Sequence, residues 1–250
     1  MKLACFLSGV LIVSGLALAQ VPAAKYNPPR MANGKPNLQG IWEARSAAWG
    51  DVEAHSASEG IRAGESIIVD PADGKIPYLP AALAQRDENF KNRAKLDPLK
   101  KCWMPGVPRI TYMPYPFQIF QTTDFMVILY EYVHASRTVH MSGDHLDGID
   151  IWMGDSRGKW DGDTFVVEVT NNDPHTWLDA SGNHHSRDMK VVERYTRTAP
   201  NVLMYEATIT DPKTYSKPWT MRVPLYLHDE KNAQLYEYEC NVYREEALSK

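Results

Sequence analysis

Three stretches decide the fold: M-K-V-V-E-R-Y-T-R at 189–197, V-L-M-Y-E-A-T-I-T at 202–210 and W-T-M-R-V-P-L-Y-L at 219–227. Each alternates with period two, the spacing at which side chains share one face of a strand. In the last, Trp219, Met221, Val223, Leu225 and Leu227 form an apolar row, opposite Thr220, Arg222 and Tyr226. In the middle one, Leu203, Tyr205, Ala207 and Ile209 oppose Val202, Met204, Glu206 and Thr208. In the first, Met189, Val191, Glu193 and Tyr195 oppose Lys190, Val192, Arg194 and Thr196. Polar turns, Ala199-Pro200-Asn201 and Asp211-Pro212-Lys213, separate the three, which makes them consecutive antiparallel strands. Rows that mix apolar and charged residues allow two placements for Glu193, Arg194, Glu206 and Arg222. They form solvated cross-strand pairs on the outside, or they line a polar cavity inside a small barrel.

The same pattern recurs upstream at Phe117–Thr123, Phe125–Val133, Ser136–Met141 and Thr164–Thr170, and downstream at Gln234–Val242. Eight or so short strands favour an all-β protein: a single antiparallel β-barrel, which removes exposed edges, or a strongly curved meander. A flat sandwich is the competing layout, and the absence of a long internal repeat disfavours a propeller or solenoid. Residues 20–109 read differently. Pro28-Pro29, Gly34-Lys35-Pro36 and Pro71-Ala72-Asp73-Gly74 are turn signals. Short strands are expected at Leu38–Trp42 and Ser66–Val69, and a short helix at Ala81–Ala94, between Pro80 and Asp97-Pro98. An irregular segment carrying Trp42, Trp49, Tyr78 and Trp103 is expected to wrap the sheet and bury one face. The predicted organisation is one domain, an irregular N-terminal wrap at 20–109 packed on a barrel at 110–250.

Composition agrees with this class. The 250 residues are 44% hydrophobic and 23% charged, which argues against disorder and fibrous repeats. Lys+Arg 27 against Asp+Glu 31 gives −4, too balanced for a nucleic-acid binder or a polybasic membrane module. The 7 Trp, 13 Tyr, 6 Phe and 17 Pro favour strands and loops over helix.

Residues 1–19 read as a signal peptide. Met1-Lys2 is a short positive start, Leu3–Leu16 is apolar, and Ala17-Leu18-Ala19 supplies the small-residue cleavage signal. The expected mature protein is soluble, periplasmic or secreted, with no membrane attachment. Cys5 leaves with the leader, so Cys102 and Cys240 are expected to pair in an oxidising compartment.

Trp152–Thr170 carries W-M-G-D-S-R-G-K-W-D-G-D-T-F-V-V-E-V-T, followed by Trp177-Leu178-Asp179, His184-His185-Ser186 and Glu193-Arg194-Tyr195. This set resembles a family of uncharacterised exported bacterial proteins with a G-x-S-x-G-x-W-x-G-D-T block, a W-x-D…H-S loop and an E-R-aromatic strand. The resemblance extends to Gly34–Trp42, to Cys102 with Pro105–Arg109, and to Pro218-Trp219-Thr220. It implies export and carries over no activity. At the level of fold alone, the chain is also similar to lipocalin-like barrels.

Three chemistries are conceivable. Gly154-Asp155-Ser156-Arg157-Gly158 fits the serine-hydrolase elbow, but that motif needs a strand-to-helix turn, and here another strand follows. A hairpin, turning at Ser156-Arg157-Gly158 and again at Asp161-Gly162, is the better reading. His140, His145, His175, His184 and His185 lie near Asp144, Asp147 and Asp150 but lack metal-ligand spacing, so no metal is expected. An acid–base site is possible with His185 as base or acid, Asp179 orienting it, Glu131 or Glu193 as second carboxylate, and Arg137 or Arg194 stabilising an oxyanion. No dinucleotide, nucleotide or haem motif is present, so no cofactor is implied.

The favoured function is an exported binding protein for a small apolar or aromatic ligand held in or at the mouth of the barrel. Its candidate ligand-binding residues are Trp177, Trp152, Glu193, Arg194, Tyr205 and Arg222. The alternative is a cofactor-independent lyase, isomerase or hydrolase built on His185, Asp179, Glu131 and Arg137.

Overall fold

A computed structural model describes residues 26–58 and 61–241. The leader read at 1–19 lies outside the described residues. Ten strands form one sheet: β1 (Gly40–Ala44), β2 (Ile68–Asp70), β3 (Phe117–Gln121), β4 (Phe125–Tyr130), β5 (Ser136–His140), β6 (Asp155–Asp161), β7 (Thr164–Thr170), β8 (Lys190–Ala199), β9 (Val202–Thr210) and β10 (Trp219–His228). Their order is β1-β3-β4-β5-β6-β7-β8-β9-β10, and β1 pairs again with β10, which closes a nine-stranded barrel. β2 pairs with the first residues of β10, on the edge that β1 takes further along.

The three deciding stretches pair as their alternation requires, with Tyr195 opposite Tyr205 and Tyr205 opposite Val223. Leu203, Tyr205, Ala207, Ile209, Trp219, Met221, Val223 and Leu225 all face inward and are fully buried. A fully buried side chain of this size contributes about 1.5–3 kcal/mol, so these rows anchor the core.

Four local readings change. Asp155–Asp161, read as a turn at 156–158, is the strand β6, because Gly158 must fit against the core. A Cβ there would lie 2.5 Å from the Phe165 ring and 2.7 Å from Val139. The second predicted turn is real, with Gly162 at φ 58° between β6 and β7. β5 and β6 run parallel over two residue pairs, joined by the long loop 141–154, whereas every other barrel pairing is antiparallel. The described part of 234–242 is not a strand; it makes only an isolated parallel bridge, Tyr132 to Tyr238. Finally, β1 lies inside the predicted wrap yet completes the barrel, so residue 109 is no structural boundary. The predicted helix is present as α1 (Pro80–Lys91), followed after Asn92 by the short α2 (Arg93–Leu96).

Both barrel ends are plugged. At the end where the β6–β7 and β8–β9 turns lie, Leu38 is buried and its N–H donates to Gln121 Oε1 at 3.0 Å. Gln121 Nε2 donates to Pro36 O at 3.0 Å, and Trp42 Nε1 to Leu38 O at 2.9 Å. At the opposite end, the β7–β8 loop and the described residues of 45–116 fold over the opening. There Tyr112 OH donates to Leu178 O at 2.6 Å, and Arg109 grips Asp97 through two 2.9 Å bonds. Cys102 and Cys240 are joined as a disulfide across 138 residues, a closure worth about 4–5 kcal/mol in the chain-entropy model.

Candidate functional site

Within the barrel wall the predicted site residues divide by the direction in which their strands aim them. Inward-facing Arg137 on β5 and Glu193 on β8 form a fully buried ion pair, the reverse of an exposed cross-strand pair. Arg137 Nε donates to Ser156 Oγ at 2.9 Å, and Tyr195 and Tyr205 both donate to Glu193 Oε1, at 3.1 and 2.8 Å. Burial, followed by the Glu193 charge, holds both phenols well above their ordinary range, so both remain donors. Every polar atom of the pair that could hold a ligand is thus committed to a neighbour. Ser156, the serine of the hydrolase pattern, is buried in this cluster and accepts from Arg137, so it is not presented as a nucleophile.

The acid–base group does not assemble around His185. His185 is buried; its Nε2 lies 2.7 Å from Thr176 Oγ1 and its Nδ1 2.8 Å from Ser186 O. Burial lowers its pKa, which keeps the ring neutral. Asp179, expected to orient it, instead accepts from Val52 N at 3.0 Å, Ser181 N at 3.0 Å, Asn183 N at 3.2 Å and Asn183 Nδ2 at 2.6 Å. Its loop needs those acceptors because the N–H groups it serves are shut off from water. Glu131 is elsewhere, accepting from Tyr236 N at 2.8 Å.

Asp179 has an unforeseen neighbour. Asn183 Nδ2 also donates to Asp51 at 3.2 Å, which places two carboxylates on one amide. Burial, then the Asp51 charge, pushes the Asp179 pKa up to about 7 against the pull of its donors. Arg86 of α1 reaches the same cluster, 3.4 Å from Asp51, and Tyr78 OH donates to Asn183 Oδ1 at 3.0 Å. Arg86 falls in the expected helix and Tyr78 among the aromatic residues of the wrap, but nothing along the chain signals that they and Asp51 meet Asp179. The cluster is sealed under α1, and no concavity opens onto it among those described below.

The two tryptophans differ. Trp177 is buried in the end plug, whereas Trp152 is partly exposed and packs with Trp103 and His175, ring centroids 5.2 and 6.2 Å away. The histidines stay dispersed: among the described residues no group of three or more His, Cys, Asp or Glu is arranged to hold a metal ion.

Arg194 and Arg222 face outward, and with them the structure offers a surface that a small molecule could enter. In register, Arg194 of β8, Glu206 of β9 and Arg222 of β10 form one row across the outer wall. With Thr196, Thr198 and Met204 they line an open concavity of about 340 Å³. Arg222 gives Nε and Nη2 to Glu206 Oε2, at 2.9 and 2.6 Å, and Arg194 gives Nη2 to Asp161 at 2.9 Å. The exposed-pair reading of Glu206 and Arg222 therefore holds. Each guanidinium is thus already paired with one carboxylate, and Met204 adds an apolar side chain to the lining. A second open concavity, about 300 Å³, is formed by residues 146–150 with Asn171 and Arg187.

Fold and site together define a closed, plugged β-barrel with an open concavity on its outer wall, lined by two ion-paired arginines and Met204. No family model, no curated protein and no solved structure matches the chain.

Proposed function

We propose that the protein is an exported binding protein for a small apolar or aromatic molecule that carries an acidic group, held on the outer wall of the barrel. The observation that carries this reading is the concavity lined by Arg194, Thr196, Thr198, Met204, Glu206 and Arg222. Its volume falls in the range of small-molecule sites, which combine apolar surface with a few placed polar groups. A side chain of moderate length such as Met204 suits a ring or alkyl body, and the guanidinium groups suit a carboxylate or sulfonate. The lumen is the poorer candidate, since the side chains of both plugs and the Arg137–Glu193 cluster fill it. Export rests on the leader at 1–19 and on the Cys102–Cys240 pair.

An anilinonaphthalene sulfonate, which unites an aromatic body with an anion, is a suitable probe in a fluorescence titration. Saturable one-to-one binding is expected, weakened at least tenfold in Arg194→Ala/Arg222→Ala. Glu206→Gln, which releases Arg222, is expected to tighten it. Equal affinity in the wild type and the double variant would reject the site.

A further inference from the structure

Residues 229–241 leave β10 and return along the barrel as a strap whose end is bonded through Cys240 to Cys102. We propose that Tyr115 and Tyr132 form a binding slot for a phenolic ring, and that the strap closes this slot by inserting its own Tyr238.

The Tyr238 ring lies against two others. It stacks on Tyr132 with centroids 5.2 Å apart and planes at 22°, and packs on Tyr115 at 4.6 Å and 50°. The Tyr115 and Tyr132 rings are 5.3 Å apart, so the three form a closed triangle. Burial, and next a side-chain hydrogen bond to Tyr238, hold the Tyr115 phenol above its ordinary range. The slot thus presents two ring faces to the Tyr238 ring.

Other contacts among the described residues hold the strap in place. Val133 N donates to Tyr238 O at 3.0 Å, Tyr236 N donates to Glu131, and His134 Nδ1 lies 2.9 Å from Glu239. Tyr236 is 66% exposed, and Leu235, Tyr238, Glu239 and Cys240 are only partly covered. A segment with so little buried surface opens locally at low cost.

The left-handed backbone beside the strap belongs to ordinary turns. Val133 at φ 46° and His134 at 51° are the central pair of the β4–β5 hairpin turn, which Ala135 N closes by donating to Tyr132 O at 3.1 Å. Cys102 at 56° ends the 3-10 turn Pro98–Lys101. The hairpin turn aims the Val133 N–H at Tyr238 O.

The disulfide keeps Tyr238 beside the slot at high effective concentration, so an incoming phenol competes with an intramolecular rival. Exchange with a dithiol would remove that advantage: the reagent transfers two electrons and two protons, Cys102 and Cys240 become thiols, and the dithiol becomes a cyclic disulfide. The slot is therefore closed when oxidised and opened on reduction. This inference is independent of the outer-wall concavity, because its ligand needs no acidic group.

The test uses p-cresol, the tyrosine side chain as a free molecule, with binding followed by ligand-observed NMR. Tyr238→Ala, which retains the disulfide, is expected to bind p-cresol at least tenfold more tightly than the oxidised wild type. The wild type reduced with dithiothreitol should gain affinity as well, and proteolysis within 229–241 should accelerate. Adding Arg194→Ala/Arg222→Ala should leave the gain intact. Should Tyr238→Ala fold poorly, the reduced wild type provides the comparison. No gain in either form would overturn the slot, and a gain abolished by the arginine substitutions would place the phenol on the outer wall instead.

Discussion

Glu193 shows how much the direction of one side chain decides. It shares its inward row with Val191 and Tyr195, and the barrel buries it with Arg137 as the partner. Removing one member of a buried pair leaves the other charge uncompensated, which costs about 3–5 kcal/mol. Arg137→Met should lower stability by about that amount in urea unfolding, whereas Arg137→Met/Glu193→Leu should recover part of the loss. A double variant no more stable than the single would show that the charge is not the cause. Asp179 makes a second prediction at this scale. Its folded pKa is raised from 3.8 to about 7, so folding favours its protonated form. The stabilisation is full below about pH 4 and disappears as pH rises through about 7, a change of up to a few kcal/mol. His184 and His185 act in the opposite sense, because burial lowers both. Their contribution is present above their usual pKa near 6.5 and is lost as pH falls through their lowered folded values. Between about pH 4 and 7 the two contributions oppose one another, so each is read from its own substitution. Asp179→Asn should remove the loss of urea midpoint that accompanies rising pH in this window, and His185→Gln should lessen the loss on the acid side. A pH profile left unchanged by either substitution would contradict that assignment.

Among the elements, β6 is the most informative. Its G-x-S-x-G spacing suggests a nucleophile, yet each position has a structural task in the strand. Ser156 satisfies Arg137, and Gly158 lets the Phe165 ring and Val139 close the interior. Gly158→Ala should destabilise by about 1–3 kcal/mol through overpacking, with thermal unfolding as the measurement. A neutral result would mean that Phe165 can step aside. β6 escapes sequence reading because glycine and charged residues mask its alternation. The pairing of β5 with β6 is legible even less, since a parallel contact of two residue pairs depends on the long loop 141–154. By contrast, β7, β8, β9 and β10 are legible almost to the residue, since one face of each is buried and one is wet.

For the whole molecule, closure is the governing fact. A strand from residue 40 joins the first and last strands of the C-terminal run, and both ends are then stopped with irregular chain. The disulfide ties the segment before β3 to the strap after β10. Cys102→Ser/Cys240→Ser should lower the unfolding free energy by about 4–5 kcal/mol, read as a fall in urea midpoint with a steeper slope, because the chain without the cross-link exposes more surface on unfolding. A markedly smaller effect would mean that the reduced unfolded chain stays compact. The sequence by itself determined the all-β class, most strands, the helix and the cysteine partners, because periodicity, turn residues and cysteine number act locally or by count. Tertiary structure alone decided which charged side chains turn inward, that the lumen is filled, and that Asp179 meets Asp51 while His185 meets no carboxylate. Those outcomes depend on which distant segments share a buried volume, and no spacing along the chain encodes that.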